Sequence, residues 1–323
     1  MRQAGLDIAL VELDELPARL HTLAFERDRT IVWAMTDGVR YYRGSAVPAL
    51  ARLEGFARFG SPASAAHLAQ DKFASLALAA AAGLAVPPTR LMQDRTEIAS
   101  VGDWPLEATP LFVKPNTLGA KIGIFADSRC KRPEEAVERS ARIWRRYRDR
   151  ALVQPFIAGG DVRASFLDLG GSFREQLGVE RIVKDPSSET GGAFLTMKDN
   201  ETLSGARDTA GARGGFGQGH AAAFIPRMID LRAATDERSK RALAGIEAAS
   251  MRLARLVGLR DCFSIDFRVD AEGSPTFLEF EVCPAVTIYD FQNYLARRGL
   301  TLGAALAQAM RVAFARVGAI EEA

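Results

Sequence analysis

The chain has 323 residues, 48% apolar and 25% charged, and its 42 Lys and Arg nearly balance 40 Asp and Glu. A net charge of +2 supplies no field for nucleic acid or an anionic membrane, and no apolar run approaches the roughly 20 residues of a membrane helix. Three cysteines (Cys130, Cys262, Cys283) and three scattered histidines exclude a disulfide scaffold and a zinc site, while charges throughout residues 1–30 leave no secretory leader, so a cytoplasmic enzyme or binding protein is expected.

In chain order, residues 6–13 and 30–36 are short β-branched apolar runs that read as strands, with a polar amphipathic stretch between them, one strand–helix–strand unit of a parallel sheet. Thr36-Asp37-Gly38 reads as a turn, residues 47–53 have helical spacing, and Ser64 is placed to cap an alanine-rich helix running to about Ala82 and stopped by Gly83. Residues 111–114 and 122–126 read as strands joined by a short loop, and 133–150 as a charged helix. Residues 151–157 and 162–168 read as strands, 199–220 as a polar glycine-rich loop, and 236–257 as an amphipathic helix. A hairpin of strands 262–269 and 275–282 precedes a last helix at about 302–317.

Lysine is scarce, seven against 35 arginines, so each lysine position is informative where a compact point charge must meet a phosphate. Lys114 ends a strand, and the loop after it closes in Gly119-Ala120-Lys121-Ile122-Gly123, a pattern that suits either a phosphate cradle or an ordinary hairpin. Glu279 and Glu281, two apart on one strand, project from one face, and Asp266 on the facing strand can join them. Three such carboxylates suit Mg²⁺; alternation alone equally describes a solvent-facing strand edge. No P-loop, dinucleotide fingerprint or nucleophile elbow occurs. The arginines at 145–150 read as a solvated helix face, Cys283 as a small space-filler, and 211–219 as a linker or a covering loop.

The order of these pieces resembles the ATP-grasp superfamily, in its D-alanine–D-alanine ligase-like branch. The resemblance rests on the Asp-Lys opening a helix that ends in Gly-Leu-Ala-Val-Pro (61–87), Val113-Lys114-Pro115 with Gly119 to Gly123, the segment 152–161, and Ile265-Asp266-Phe267 with 277–284. It implies an α/β fold: a small amino-terminal parallel α/β domain (1–62), a central subdomain (63–157) and a carboxy-terminal subdomain with the metal site (158–323). ATP and Mg²⁺ are implied as cofactors. Lys72, Lys114 and Lys198 (with Lys184 as competitor for the last) would contact phosphates, and Gly119, Ala120, Lys121, Ile122 and Gly123 would close over them. Gln154, Pro155, Phe156 and Ile157 would line the adenine, Asp161 would hold the ribose, and Asp266, Glu279 and Glu281 would bind metal. Tyr289 and Asp290 fall where the second substrate would lie. Small-molecule carboxylate and amine substrates are implied, and a homodimer.

The chain departs from that pattern where the chemistry would occur. Ser264 stands where the resemblance implies an arginine for the oxyanion, Ala285 where it implies glycine, and the opening strand with its amine-binding glutamate is not seen. Arg268 or Lys121 is the expected replacement donor. An ATP-dependent carboxylate–amine ligase working through an acyl phosphate, on an acid other than D-alanine, is the first expectation. A small-molecule kinase and a nucleotide-binding protein without ligase activity are the alternatives.

Overall fold

The computed structural model describes residues 5–35, 43–105, 110–183, 194, 196, 227–284 and 291–321. Lys184, Lys198, Ala285, Tyr289, Asp290, the turn at 36–38 and the loop at 199–220 lie outside them.

Among these residues the strands form three sheets. β1 (Ile31–Trp33) and β2 (Ala57–Phe59) pair in parallel, Val32 opposite Arg58, between α1 (Leu16–Thr22) and α2 (Arg43–Leu53) on one side and the carboxy-terminal helices on the other. The second sheet runs β4-β3-β7-β5-β6 and is antiparallel throughout, from β3 (Thr89–Gln93), β4 (Thr96–Val101), β5 (Leu111–Pro115), β6 (Arg129–Cys130) and β7 (Ala151–Pro155). The third runs β10-β9-β8-β11-β12, also antiparallel. Its strands are β8 (Gly160–Leu167), β9 (Leu177–Val183), β10 (Arg227–Asp230), β11 (Cys262–Val269) and β12 (Pro275–Glu281).

Two expected strands are absent. Residues 6–13 have the right composition but no strand ladder, and Leu6, Val11 and Leu13 only pack against neighbouring cores. Residues 122–126 are turns, because Ala120, Lys121 and Gly123 all take positive φ (52°, 58° and 81°), which no strand tolerates. The expected helix from Ser64 to Ala82 is two helices, α3 (Ala63–Gln70) and α4 (Lys72–Ala81). Asp71, extended at ψ 95°, breaks the run and caps α4, its Oδ1 accepting from the Ala74 amide at 3.0 Å.

Alternation along the third sheet separates two environments. Val162, Ala164 and Phe166 of β8, Phe263, Ile265 and Phe267 of β11, and Phe277 and Phe280 of β12 join one apolar core. That core is covered by α7 (Glu237–Val257), which buries Ala242, Ile246, Leu253 and Ala254 at helical spacing. α3 and α4 add Ala65, Ala66, Leu76 and Ala79 to the same core, so they pack on the third sheet although they precede the second in sequence. The other face of the sheet carries the charged residues. α5 (Pro133–Tyr147) covers the second sheet, and α9 (Leu302–Glu321) packs against β2 with α8 (Gln292–Arg297) beside it.

Candidate active site

The charged face is laid out by strand register. A single row crosses the sheet as Asp230, Glu180, Arg163, Asp266 and Glu279, each opposite the next on the neighbouring strand. The adjoining row carries Ser165, Ser264 and Glu281, and the row on the other side Asp161 and Arg268. Because residues two apart share a face, this polarity follows from D-V-R-A-S on β8, S-I-D-F-R on β11 and E-F-E on β12. A bulge between Asp266 and Phe267 keeps Asp266 opposite Glu279 and shifts the register beyond it.

Above this face the two lysines are brought together from segments 42 residues apart. Lys72 is the first residue of α4 and Lys114 the fourth of β5. Asn116, fully buried, joins them: its Oδ1 accepts from the Phe73 amide at 2.9 Å, its carbonyl accepts from the Lys72 amide at 3.3 Å, and its Nδ2 donates to Asp71 Oδ1 at 3.0 Å. Asp149 accepts from the Thr117 amide at 2.8 Å, anchoring the start of the glycine loop. Lys72 Nζ then lies 3.4 Å from Glu279 Oε2 and donates to the Leu118 carbonyl at 2.9 Å.

Both lysines are 5% exposed. Burial pushes the Lys114 ammonium below its ordinary range, against the pull of Glu279 and in line with the like charge of Lys72. Burial alone would raise Glu279, but Lys72, Lys114 and Arg163 outweigh it and hold that carboxyl down to about 2. The Glu279 carboxylate is therefore charged across the physiological range.

Arg163 is the functional candidate that sequence reasoning missed. Its guanidinium is buried, hydrogen-bonds Glu281, lies 3.6 Å from Asp266 Oδ1 and donates to Ser264 Oγ at 2.7 Å. The signal was present, since an arginine between the buried Val162 and Ala164 must find a partner across the sheet. Arg268, an expected oxyanion donor, is engaged elsewhere: Nη1 meets Asp161 Oδ1 at 2.6 Å and Nε donates to the Ile157 carbonyl at 3.0 Å. It lies four positions along β11 from Ser264, about 13 Å at strand rise. Asp161, expected at the ribose, is the partner of that arginine.

The segment expected to line adenine forms the end of β7. Gln154 turns inward, its Nε2 donating to Thr89 Oγ1 at 2.8 Å, and the Phe156 amide donates to the Pro110 carbonyl at 2.8 Å. Phe112, Phe156 and Phe194 make an aromatic cluster there, with centroids 5.0–6.2 Å apart, and Arg129 and Arg268 lie over the Phe156 ring. Pro155 and Ile157 are half-buried beside it. The glycine loop from Gly119 to Gly123 follows Leu118, whose carbonyl Lys72 bonds, with half-buried Lys121 at its left-handed turn. Cys283 is a space-filler as expected, its thiol donating to the Ala34 carbonyl at 3.2 Å.

Among the described residues no three acidic, histidine or cysteine side chains close around one point, so the expected convergence of Asp266, Glu279 and Glu281 is not what the chain builds. Each carboxylate instead has a cation beside it. The donor set still suits Mg²⁺. That ion takes one or two carboxylates and completes its shell with water and phosphate oxygens, and Asp266 with Glu279 directly opposite offers such a pair.

No protein-family model matches the chain. It is 25% identical over 289 residues to a D-alanine–D-alanine ligase of Gloeobacter violaceus, covering 88% of this chain and 80% of that protein. It is 30% identical over 185 residues to the ligase of the same name from Paramagnetospirillum magneticum, covering 57% and 55%. The crystal structure of the Bacillus anthracis D-alanine–D-alanine ligase complexed with ATP superposes with a TM-score of 0.65 at 14% identity, over 98% of this chain and 87% of that one. With two lysines set over a row of carboxylates, the chain is similar in sequence to these ligases and shares the fold of the Bacillus anthracis enzyme.

Proposed function

We propose that the protein is an ATP-dependent carboxylate–amine ligase. The observation that carries this reading is the placement of Lys72 3.4 Å from Glu279, with buried Lys114 acting on the same carboxylate and Asp266 opposite Glu279 in the sheet. Lys72, Lys114 and Lys198 take the nucleotide phosphates, residues Gly119 to Gly123 fold over them with Lys121 at the tip, Gln154 to Ile157 flank the base, and Asp161 faces the ribose. Residues 1–62, 63–157 and 158–323 act as the three parts of this machine. Asp266 and Glu279 hold Mg²⁺, which supplies charge neutralisation of the phosphate oxygens when bound.

A carboxylate oxygen of the acid attacks the γ-phosphorus, the bond to the β–γ bridging oxygen breaks, and ADP leaves. The amine nitrogen then adds to the acyl carbon and phosphate departs with the electrons of the C–O bond, while the amine proton passes to solvent. Developing negative charge on the acyl oxygen needs a fixed donor, worth about 10²–10³ in rate. Arg163 takes this role in place of Arg268: its guanidinium hydrogen-bonds Ser264, the residue that replaces the implied arginine, so the charge arrives from the adjacent strand.

The substrate acid differs from D-alanine. Ser264 and Ala285 alter the positions at which the resemblance places D-alanine contacts, and Arg163 donates to the Ser264 hydroxyl. Tyr289 and Asp290, at the positions where the resemblance implies second-substrate contacts, are assigned to the amine. The enzyme works as a dimer in the cytoplasm; Leu10, Phe25 and Leu53 are largely exposed, and no helix among the described residues is long and apolar enough to cross a membrane. The test is ADP release against a panel of acids and amines. Release requiring both an acid and an amine is expected, with none in Glu279→Gln and little dipeptide from D-alanine alone. Release with a single acceptor would show a kinase, and efficient D-alanyl-D-alanine synthesis would overturn the substrate reading.

A further inference from the structure

The loop from Thr117 to Gly123 is tied at both ends to α5 and its exit. At the outgoing end the Thr117 amide donates to Asp149, which is buried just past α5. At the returning end Arg139, in the middle of α5 and 6% exposed, donates from Nη2 to the Gly123 carbonyl at 2.8 Å. The two feet stand side by side. A Cβ on Gly123, whose φ is +81°, would lie 2.5 Å from Pro115 Cγ at the end of β5 and 3.3 Å from Tyr147 Cε2 at the end of α5.

Arg139 holds more than Gly123. Nη2 also donates to Ser128 Oγ at 3.3 Å, Nη1 meets Asp127 Oδ1 at 2.8 Å, and the guanidinium lies over the Phe125 ring at 5.2 Å. Ser128, fully buried, accepts in turn from the Phe125 amide at 3.0 Å. A buried guanidinium is costly unless it is bonded, and these bonds all run to the return limb, so one side chain gathers Gly123 to Ser128 onto α5. Between the feet the loop is different. Ala120 is exposed, a Cβ on Gly119 would meet nothing within 4 Å, and Ala120 and Lys121 take positive φ in succession (52° and 58°). Left-handed residues other than glycine are strained, and such a turn keeps its shape only where its ends are held.

We propose that Arg139 is a positioning residue for this loop: by fixing Gly123 against Pro115 it confines movement to Gly119–Ile122 and sets where Lys121 is presented. Presentation of Lys121 to a transferring phosphoryl group rests on the ligase reading; the clamp does not. Lys72 and Lys114 are carried by α4 and β5, outside the clamp, so the grip on the nucleotide before reaction is independent of Arg139. Loss of the clamp misplaces Lys121 as charge develops, which lowers kcat and leaves KM for ATP nearly unchanged.

Hydrogen exchange of the nucleotide-free protein, read by mass spectrometry, tests the clamp. In Arg139→Met the amides of residues 119–124 should exchange at least about tenfold faster than in the wild type, with those of β5 and β7 unchanged. Arg139→Lys, which keeps the charge and one donor centre, should recover part of the protection. Arg142→Met is the control: Arg142 shares Asp127 at 3.0 Å from the exposed side, so the loop should exchange as in the wild type. ADP release supplies the kinetic side, with kcat lower by at least about tenfold in Arg139→Met, KM for ATP within about threefold, and both unchanged in Arg142→Met. Melting temperatures identify a variant that fails to fold, and Arg139→Lys then carries the comparison. Unchanged loop exchange in the folded Arg139 variants, acceleration spread evenly over α5, β5 and β7, or an equal effect of Arg142→Met would overturn the proposal. The ligase reading fails separately. Faster loop exchange in Arg139→Met with no ADP release from any acid keeps the clamp and removes the ligase. ADP release with an unchanged kcat in Arg139→Met keeps the ligase and removes the positioning role.

Discussion

Lys114 is a buried cation whose own environment disfavours its charge, and that is what suits it to receive phosphate. Its ammonium has little water to lose and a like-charged neighbour in Lys72, so an arriving phosphate relieves both penalties. Lys114→Ala is expected to weaken ATP binding by about 1–3 kcal/mol, read by titration of a non-hydrolysable analogue. Lys131, exposed ahead of α5, is the control: Lys131→Ala should leave affinity unchanged, and equal effects would mean the phosphate site lies elsewhere. Glu279 adds a pH signature. Its carboxyl titrates at about 2 in the folded chain and near 4.3 when unfolded. A lowered value means the stabilisation is complete above the unfolded value and lost as pH falls toward 2. The urea midpoint of the wild type should therefore drop between about pH 4.5 and 2 relative to Glu279→Gln, and the two curves should converge at the acidic end. Parallel curves would show that Lys72 does not hold Glu279 in solution.

At the level of elements, legibility in the sequence depended on whether a segment's neighbours were nearby. The hairpin of β11 and β12 was readable because Phe263 to Val269 alternate apolar and polar, Glu279 to Glu281 repeat the alternation, and Asp270-Ala271-Glu272-Gly273 joins the two runs. β3 and β4 were missed because Thr89–Gln93 mixes polar and apolar residues at a sheet position set by β7, some 60 residues later. Residues 6–13 misled for the converse reason, with strand composition but no strand ladder. Lys72, Lys114 and the carboxylates were legible as motifs, whereas Arg163 and Asn116 were not, since their meaning lies in cross-strand and helix-to-loop contacts. The turn between β7 and β8 shows how closely two elements are fitted. Gly159, at φ +140°, would place a Cβ 2.1 Å from the Val269 carbonyl oxygen at the end of β11. Gly159→Ala should cost about 2–4 kcal/mol by urea denaturation. At Gly119 a Cβ meets nothing within 4 Å, so Gly119→Ala should leave the midpoint nearly unchanged. Comparable losses at both would contradict the packing described for the hinge.

Across the whole molecule, the nucleotide face balances its own charge before any ligand binds. Asp266, Glu279 and Glu281 are met by Arg163, Lys72 and Lys114, so nothing on the free protein calls strongly for a divalent ion. Mn²⁺ should bind weakly alone and tightly with a non-hydrolysable ATP analogue, whose phosphates draw the lysines off Glu279. Electron paramagnetic resonance of free Mn²⁺ measures this. Lys72→Met, which leaves Glu279 unpaired, should bind Mn²⁺ without nucleotide at least about tenfold more tightly than the wild type. Strong nucleotide-free binding by the wild type would refute the balance.

The clasp made by Asn116 has a consequence for how freely the chain can vary. Because Asn116 ties the start of α4 to the end of β5, the separation of the two ammonium groups is set by three local hydrogen bonds and not by the 41 residues of chain between them. Those intervening residues include the exposed turn at Asp94-Arg95, where an insertion would lengthen a loop at little entropic cost. The phosphate-facing pair is thus insulated from length changes in the hairpin that precedes it, much as a rivet holds two plates whatever the slack in the strip that joins them. A nucleotide meets cations whose spacing was settled during folding, and binding spends none of its energy on gathering them.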